Sequence, residues 1–159
     1  MKPVGEAEVI VAVDVEPAAR RTSYPEPFAS RMQLQWKRRL GVLFGLRNFG
    51  VNLTRIAPGG QSALRHSHTR QDEFIYVLEG TPTLVTDRGE TLLAPGYCSG
   101  FPAGGAAHHL VNRGTVDAVY LEVGDRTPGD EVCYPDDDLR AVYGPDGRYA
   151  FTHRDGRPY

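Results

Sequence analysis

Short alternating runs separated by turn residues are what most constrain this chain. Phe49, Val51 and Leu53 alternate with Asn52 and Thr54, and Pro58-Gly59-Gly60 ends that run. Glu73, Ile75 and Val77 share one parity, Phe74, Tyr76 and Leu78 share the other, and Glu79-Gly80 closes the segment. A period of two belongs to strands, where successive side chains point to opposite faces. The 18 glycines and 12 prolines are spread as punctuation rather than clustered, which points to a sandwich or barrel of short strands. Thr83–Thr86 and Glu90–Leu93 read as a hairpin around Asp87-Arg88-Gly89. His108, Leu110 and Asn112 line one face of a later strand, and Val116–Val123 is the last strong one.

The flanks are less regular. Residues 1–8 are expected to be loose, Glu8–Val15 to form a terminal edge strand, and Pro17 to Pro27 to connect. Phe28–Leu40 carries Met32, Trp36 and Leu40 at a spacing of four and, with poorly marked ends, reads as a short or irregular helix. After Gly124 the alternation decays, and Asp136-Asp137-Asp138 reads as a solvated turn. At 159 residues the chain is one domain. Its expected divisions are an N-terminal extension over 1–40, a barrel core over 41–124, and a C-terminal extension over 125–159 packed on the barrel.

Composition excludes several classes. Eighteen basic residues against 20 acidic ones argue against nucleic acid or an anionic membrane as partner. Lys37-Arg38-Arg39 reads as a solvated face. Cys98 and Cys133 make no disulfide framework and are expected as small core or near-core residues. Neither a signal peptide nor an apolar run of about 18 residues is evident, so a reduced, cytoplasmic protein is the expectation.

Four of the five histidines fall in two short segments. His66 and His68 share a parity, so a strand sets them on one face about 7 Å apart along the backbone. Glu73 follows a turn at Thr69–Asp72, and its carboxylate reaches the same point if the two strands are neighbours. Burying these groups together without an ion would be costly. A nitrogen-rich set with one oxygen suits a divalent transition metal (Fe, Mn, Ni, Zn, Co or Cu) better than calcium. A further ligand is expected from Gly96 to Asn112, where His108-His109 offers two choices. Parity sends His109 to the face opposite His108.

The first segment fits G-x5-H-x-H-x4-E-x6-G at Gly60, His66, His68, Glu73 and Gly80. In this it resembles the cupin superfamily. The second cupin motif, G-x5-P-x-G-x2-H-x3-N, is met by Gly96, Pro102, Gly104, His108 and Asn112, with three residues rather than two between Gly104 and the histidine. Either the loop is one residue longer here or Gly105 takes the glycine's part. The spacing to Asn112 selects His108. The two motifs span residues 60–112, and the text around Phe101–Gly104, His108–Arg113 and Tyr120–Gly124 is similar to small bacterial single-domain cupin proteins. The resemblance implies an all-β, single-domain antiparallel jelly-roll β-barrel with a metal held by His66, His68, Glu73 and His108. It also implies a homodimer, for which Glu8–Val15 is the expected pairing edge.

Four ligands on a six-coordinate ion leave two positions for a small-molecule substrate, dioxygen or water. A metal-dependent enzyme is therefore expected, with dioxygenase chemistry slightly ahead of isomerase or lyase chemistry. The alternative is a non-catalytic small-ligand binder or sensor. Tyr76 is expected to pack, Tyr120 to line the cavity or its wall, and Arg55 and Arg65 to lie at the surface. His153 is expected in the core or at the surface.

Overall fold

The computed structural model describes residues 8–159; the expectation for residues 1–7 lies outside the described residues. The strands are β1 (Gln35–Arg38), β2 (Phe49–Ile56), β3 (Ser67–His68), β4 (Glu73–Glu79), β5 (Thr83–Thr86), β6 (Gly89–Leu92), β7 (Cys98–Phe101), β8 (His108–Val111), β9 (Ala118–Asp125), β10 (Glu131–Cys133), β11 (Arg140–Tyr143) and β12 (Tyr149–Thr152). They form three sheets with orders β1-β2-β9-β4-β7, β12-β11-β10-β3 and β6-β5-β8. All pairings are antiparallel. The result is the all-β jelly-roll barrel that the alternation and motifs imply.

The expected alternation holds where it was strongest. In β4, Ile75 and Val77 are buried while Phe74, Tyr76 and Leu78 stay 40% or more exposed on the outer face. The inward set packs with Ile56, Leu84, Leu93, Leu110 and Tyr120 in one apolar cluster, against which Phe101 lies. A second cluster joins Phe28 and Met32 to Leu64, Val132, Tyr134, Leu139 and Ala141. This cluster fastens the N-terminal segment and the last three strands onto the barrel, because burying apolar surface is what drives such docking.

Several flank expectations are corrected. Glu8–Val15 is not a strand: Ala12–Asp14 is a single 3-10 turn, and Val9, Val11 and Val13 are 88%, 61% and 65% exposed. The residue that reaches the edge of β1 is Ala18, whose N–H donates to the Lys37 carbonyl, so the valines find no ladder to join. The helical character expected in Phe28–Leu40 is present but small. The segment divides into a 3-10 turn at Ala29–Met32, strand β1, and a short α-helix, α1, at Leu40–Leu43. Pairing of β1 with β2 overrides the spacing of four. Trp36 serves as a platform for the Arg21 and Arg55 guanidiniums, 4.5 and 4.0 Å from its ring centroid.

Both cysteines are exposed rather than core residues. Cys98 pairs across the ladder with outward-facing Tyr76, so parity carries both to the outer face; Tyr76 is 40% exposed there rather than packed. The aspartate run is the turn expected from the sequence, with Asp136 and Asp138 exposed, and its carboxylates also form ion pairs. Asp136 takes Arg65, Asp137 takes Arg31, and Asp138 takes His153 at 2.8 Å. Beyond Gly124, β10 and β11 each bury one central residue, Val132 or Ala141, between two less buried neighbours. Strands this short leave little periodic signal. Among the described residues no helix is long and apolar enough to cross a membrane.

Gly80 ends β4 with φ +72°, and a Cβ there would meet the Asp117 carbonyl oxygen at 2.4 Å. Gly96 has φ +89° with open space around it. Gly96→Ala should therefore lose only the backbone term, about 1 kcal/mol, whereas Gly80→Ala should lose more than about 3 kcal/mol because backbone must also move. Urea midpoints of the two variants check this; equal losses would refute the close-approach reading.

Candidate metal centre

Three imidazoles face one carboxylate oxygen inside the barrel. Glu73 Oε2 lies 2.9 Å from His108 Nε2, 3.3 Å from His66 Nε2 and 3.5 Å from His68 Nε2. Local backbone explains the convergence. His66 and His108 form an isolated antiparallel bridge, with both N–H to O=C bonds made at 3.1 and 2.8 Å. His68 lies on β3, two residues on and therefore on the same face. Glu73 opens β4 after the turn, as its place in the sequence suggested.

Each ring is also held from behind. His66 Nδ1 donates to the Leu64 carbonyl at 2.7 Å, His108 Nδ1 to the Ala106 carbonyl at 3.3 Å, and His68 Nδ1 to Asp130 Oδ2 at 2.6 Å. Carbonyl and carboxylate oxygens only accept, so each Nδ1 carries a hydrogen, and each Nε2 faces Glu73, donating to it when the ring is protonated and offering a lone pair to an ion when the ring is neutral. Phe101 stacks on His108 with centroids 3.5 Å apart and planes 2° from parallel.

This arrangement suits an ion. Metal bonds of about 2.0–2.2 Å place neighbouring donor atoms about 2.9–3.5 Å apart, and the three Nε2-to-Oε2 separations fall in that range. His66, His68 and Glu73 by themselves form a group able to hold a metal. The electrostatics show how tightly the cluster is coupled. Burial alone would raise the Glu73 carboxyl, but hydrogen bonds and charge from the histidines outweigh it and hold Glu73 well below the usual carboxylate range. Burial likewise pushes His66 down, and bonding to Glu73 reverses the sign, leaving it raised.

His109 turns away: its Nδ1 bonds the Ala63 carbonyl at 3.0 Å, and burial lowers its pKa. The departure from the second motif has a local cause. Gly104 takes φ +71° and donates its N–H to the His68 carbonyl, while a Cβ on Gly105 would strike the Pro102 carbonyl at 2.7 Å. Both glycines are thus required, and the loop absorbs one extra residue before β8. Arg55 pairs with Asp117, and Arg65 with Asp87 and Asp136, away from the cluster.

The sequence reading missed Asp130. It is fully buried, and besides His68 it accepts the Arg70 N–H at 2.8 Å and the Gln71 N–H at 3.2 Å. One carboxylate thereby orients a histidine and closes the β3–β4 turn. No local signal marks it, since Gly129-Asp130-Glu131 reads as an ordinary loop; only the β10–β3 pairing brings it to His68.

The cluster opens into a cavity of about 1020 Å³. Five arginines line it: Arg20, Arg21, Arg39, Arg126 and Arg148. Among the described residues none of the five forms an ion pair with a carboxylate. A chain of net charge −2 thus has a cationic cavity wall around a His–Glu cluster.

Comparison with known proteins agrees with the geometry. The family described as Cupin domain matches residues 52–124. A solved cupin-superfamily structure from Silicibacter pomeroyi, described as a sugar phosphate isomerase, is 44% identical with a TM-score of 0.82, covering 87% of this chain and 88% of that one. A putative sugar phosphate isomerase from Acidithiobacillus ferrooxidans is 34% identical with a TM-score of 0.70, covering 79% and 80%. A polyketide cyclase from Streptomyces resistomycificus shares the fold at 24% identity and a TM-score of 0.62, over 75% and 79%. None of the curated proteins matches the sequence. With two motifs, a jelly-roll barrel and relatives at this level of identity, the chain belongs to the cupin superfamily.

Proposed function

We propose that this protein is a metal-dependent isomerase acting on a small, anionic hydroxy-carbonyl compound of the sugar phosphate class. The observation that carries this is that a four-donor cluster and five arginines without carboxylate partners line one cavity. His66, His68, Glu73 and His108 would hold one divalent transition ion. Such an ion polarises a carbonyl or hydroxyl oxygen. The guanidiniums suit a phosphate, which they bind with paired, charge-assisted hydrogen bonds. The descriptions of the relatives at 44% and 34% identity move the balance from the oxygenase chemistry expected from the sequence to isomerisation.

What the chain's own residues do follows from their placement. Asp130, Leu64 and Ala106 hold the three rings so that no imidazole must reorient when an ion enters. The arginine wall attracts the anion and holds it on that side of the cavity, which leaves the uncharged end of the molecule toward the cluster. Phe101 shields one face of His108 from water.

The functional test is interconversion of phosphorylated aldoses and ketoses by protein reconstituted with Mn(II), Fe(II), Co(II), Ni(II) or Zn(II), with oxygen uptake followed in parallel. Isomerisation abolished by chelation is expected. Tight binding of a phosphorylated sugar without turnover would establish a binder instead, and stoichiometric oxygen uptake an oxygenase.

Ligation is checked by metal content. His66→Ala, His68→Ala, Glu73→Ala and His108→Ala should each lose stoichiometric metal, and His109→Ala should retain it. Metal lost from His109→Ala but kept by His108→Ala would reverse the ligand choice. Asp130→Asn should weaken metal affinity about 10- to 100-fold without removing a ligand, as read by competition with a chromophoric chelator.

A further inference from the structure

A second polar cluster lies on the inner face of the five-stranded sheet, apart from the four donors. Glu122 on β9 faces Asn52 on β2 and Ile75 on β4 in the ladder. Its Oε1 accepts from Lys37 Nζ at 2.8 Å and from Asn52 Nδ2 at 2.9 Å. Its Oε2 accepts from the Tyr120 hydroxyl at 3.1 Å. Tyr120 is 1% exposed. Burial and the adjacent Glu122 charge keep its hydroxyl protonated, well above the usual tyrosine range.

A carboxylate offers about four lone-pair directions. Three are occupied, and among the described residues no further donor reaches Glu122, so one lone pair on Oε2 remains. Glu122 and Lys37 both line the cavity that holds His66, His68 and Glu73. Glu73 is opposite Gly124, so Glu122 is its diagonal neighbour, with Cα atoms about 7–8 Å apart and both side chains inward. Both carboxylates therefore open into the same cavity from one face of the sheet. Gln35 supplies an independent sign that a ligand belongs here. It is 2% exposed and lines the same cavity, yet its Oε1 has no hydrogen-bond partner. A hydroxyl group brought in by a ligand would satisfy it.

We propose that Glu122 is the proton-transfer residue of the site, with Lys37, Asn52 and Tyr120 fixing its carboxylate against a hydroxy-carbonyl substrate. This rests on the isomerase reading above. Glu122 Oε2 takes the proton from the carbon beside the carbonyl. The C–H electron pair becomes the carbon–carbon double bond of an enediol, and the carbonyl pair moves onto its oxygen. The neighbouring hydroxyl proton passes to that oxygen, its O–H electron pair becomes the new carbonyl bond, and the enediol double-bond pair takes the proton that Glu122 returns to the former carbonyl carbon. Protons and electrons balance, and no oxidant or reductant enters.

The experiment measures deuterium wash-in from D2O, by mass spectrometry, into dihydroxyacetone phosphate, ribulose 5-phosphate and fructose 6-phosphate on metal-loaded protein. Thermal stability, metal content and calorimetric binding of each probe are measured alongside. Glu122→Gln keeps the shape of the side chain but cannot take the proton. It should lower wash-in by at least about 100-fold while metal content stays stoichiometric and probe affinity stays within threefold. Wash-in at the wild-type rate in Glu122→Gln would overturn the proposal and leave the isomerase reading standing. Absence of wash-in for all three probes with wild-type protein would overturn both. Should Glu122→Gln fail to fold, Glu122→Asp keeps the charge and withdraws the carboxylate by one methylene. A drop of at least about tenfold is then expected, and an unchanged rate would overturn the proposal.

Discussion

The register of β2, β9 and β4 is the constraint on which the rest depends. Eight residue pairs join β2 to β9 without a break, from Phe49 with Asp125 to Ile56 with Ala118. β4 joins the other side of β9 with Glu73 opposite Gly124. This one phase turns Asn52, Thr54, Tyr120, Glu122, Glu73, Ile75 and Val77 inward together. A slip of one residue would send every one of them to solvent and bring Phe74, Tyr76 and Leu78 inside. The irregularity in the ladder falls between Val77 and Glu79, beyond the polar residues, so it leaves their phase intact.

Within that frame the buried ionisable groups are tolerated because each is compensated. An isolated charge in the barrel would be strongly unfavourable. Glu73 has three imidazoles, Glu122 has an ammonium, an amide and a hydroxyl, and Asp130 has an imidazole and two backbone N–H groups. Removing one partner strands the other, so these networks resist piecemeal change. Asp130 additionally couples the C-terminal strands to His68. The region after Gly124 therefore shapes the site, although its sequence pattern is weak.

The features legible in the sequence were those governed by local periodicity or spacing. The parity of His66 and His68, the inward set of β4, the Asp87-Arg88 hairpin and the placement of His108, rather than His109, beside Glu73 all follow from neighbours along the chain. What escaped depended on pairing between distant segments. Asp130 meets His68 across 62 positions and Lys37 meets Glu122 across 85, and neither acid stands in a motif. The Glu8–Val15 error has the same origin. Alternating valines satisfy the local rule, but a strand forms only where another edge accepts it, and Ala18 already reaches the edge of β1. The helical segment expected in Phe28–Leu40 is limited to one 3-10 turn and the start of α1, because β1 between them gains a four-residue ladder on β2 that local propensity does not register.

The two inner-face clusters differ in a way that bears on chemistry. Around Glu73 the donors present nitrogen lone pairs, which suits a cation and leaves the carboxylate with nothing to protonate it once an ion is held. Around Glu122 the partners are an ammonium, an amide N–H and a hydroxyl, all donors, which steady a carboxylate but do not ligate metal. A cation offered to this face therefore finds nitrogen and oxygen ligands at one end only, and is repelled at the other by Lys37. The two carboxylates stand one diagonal step of the sheet apart, one faced by imidazoles and the other by N–H and O–H donors. Glu122 keeps its proton-accepting lone pair because Lys37 and Asn52 both bond Oε1, leaving Oε2 to Tyr120 and the cavity.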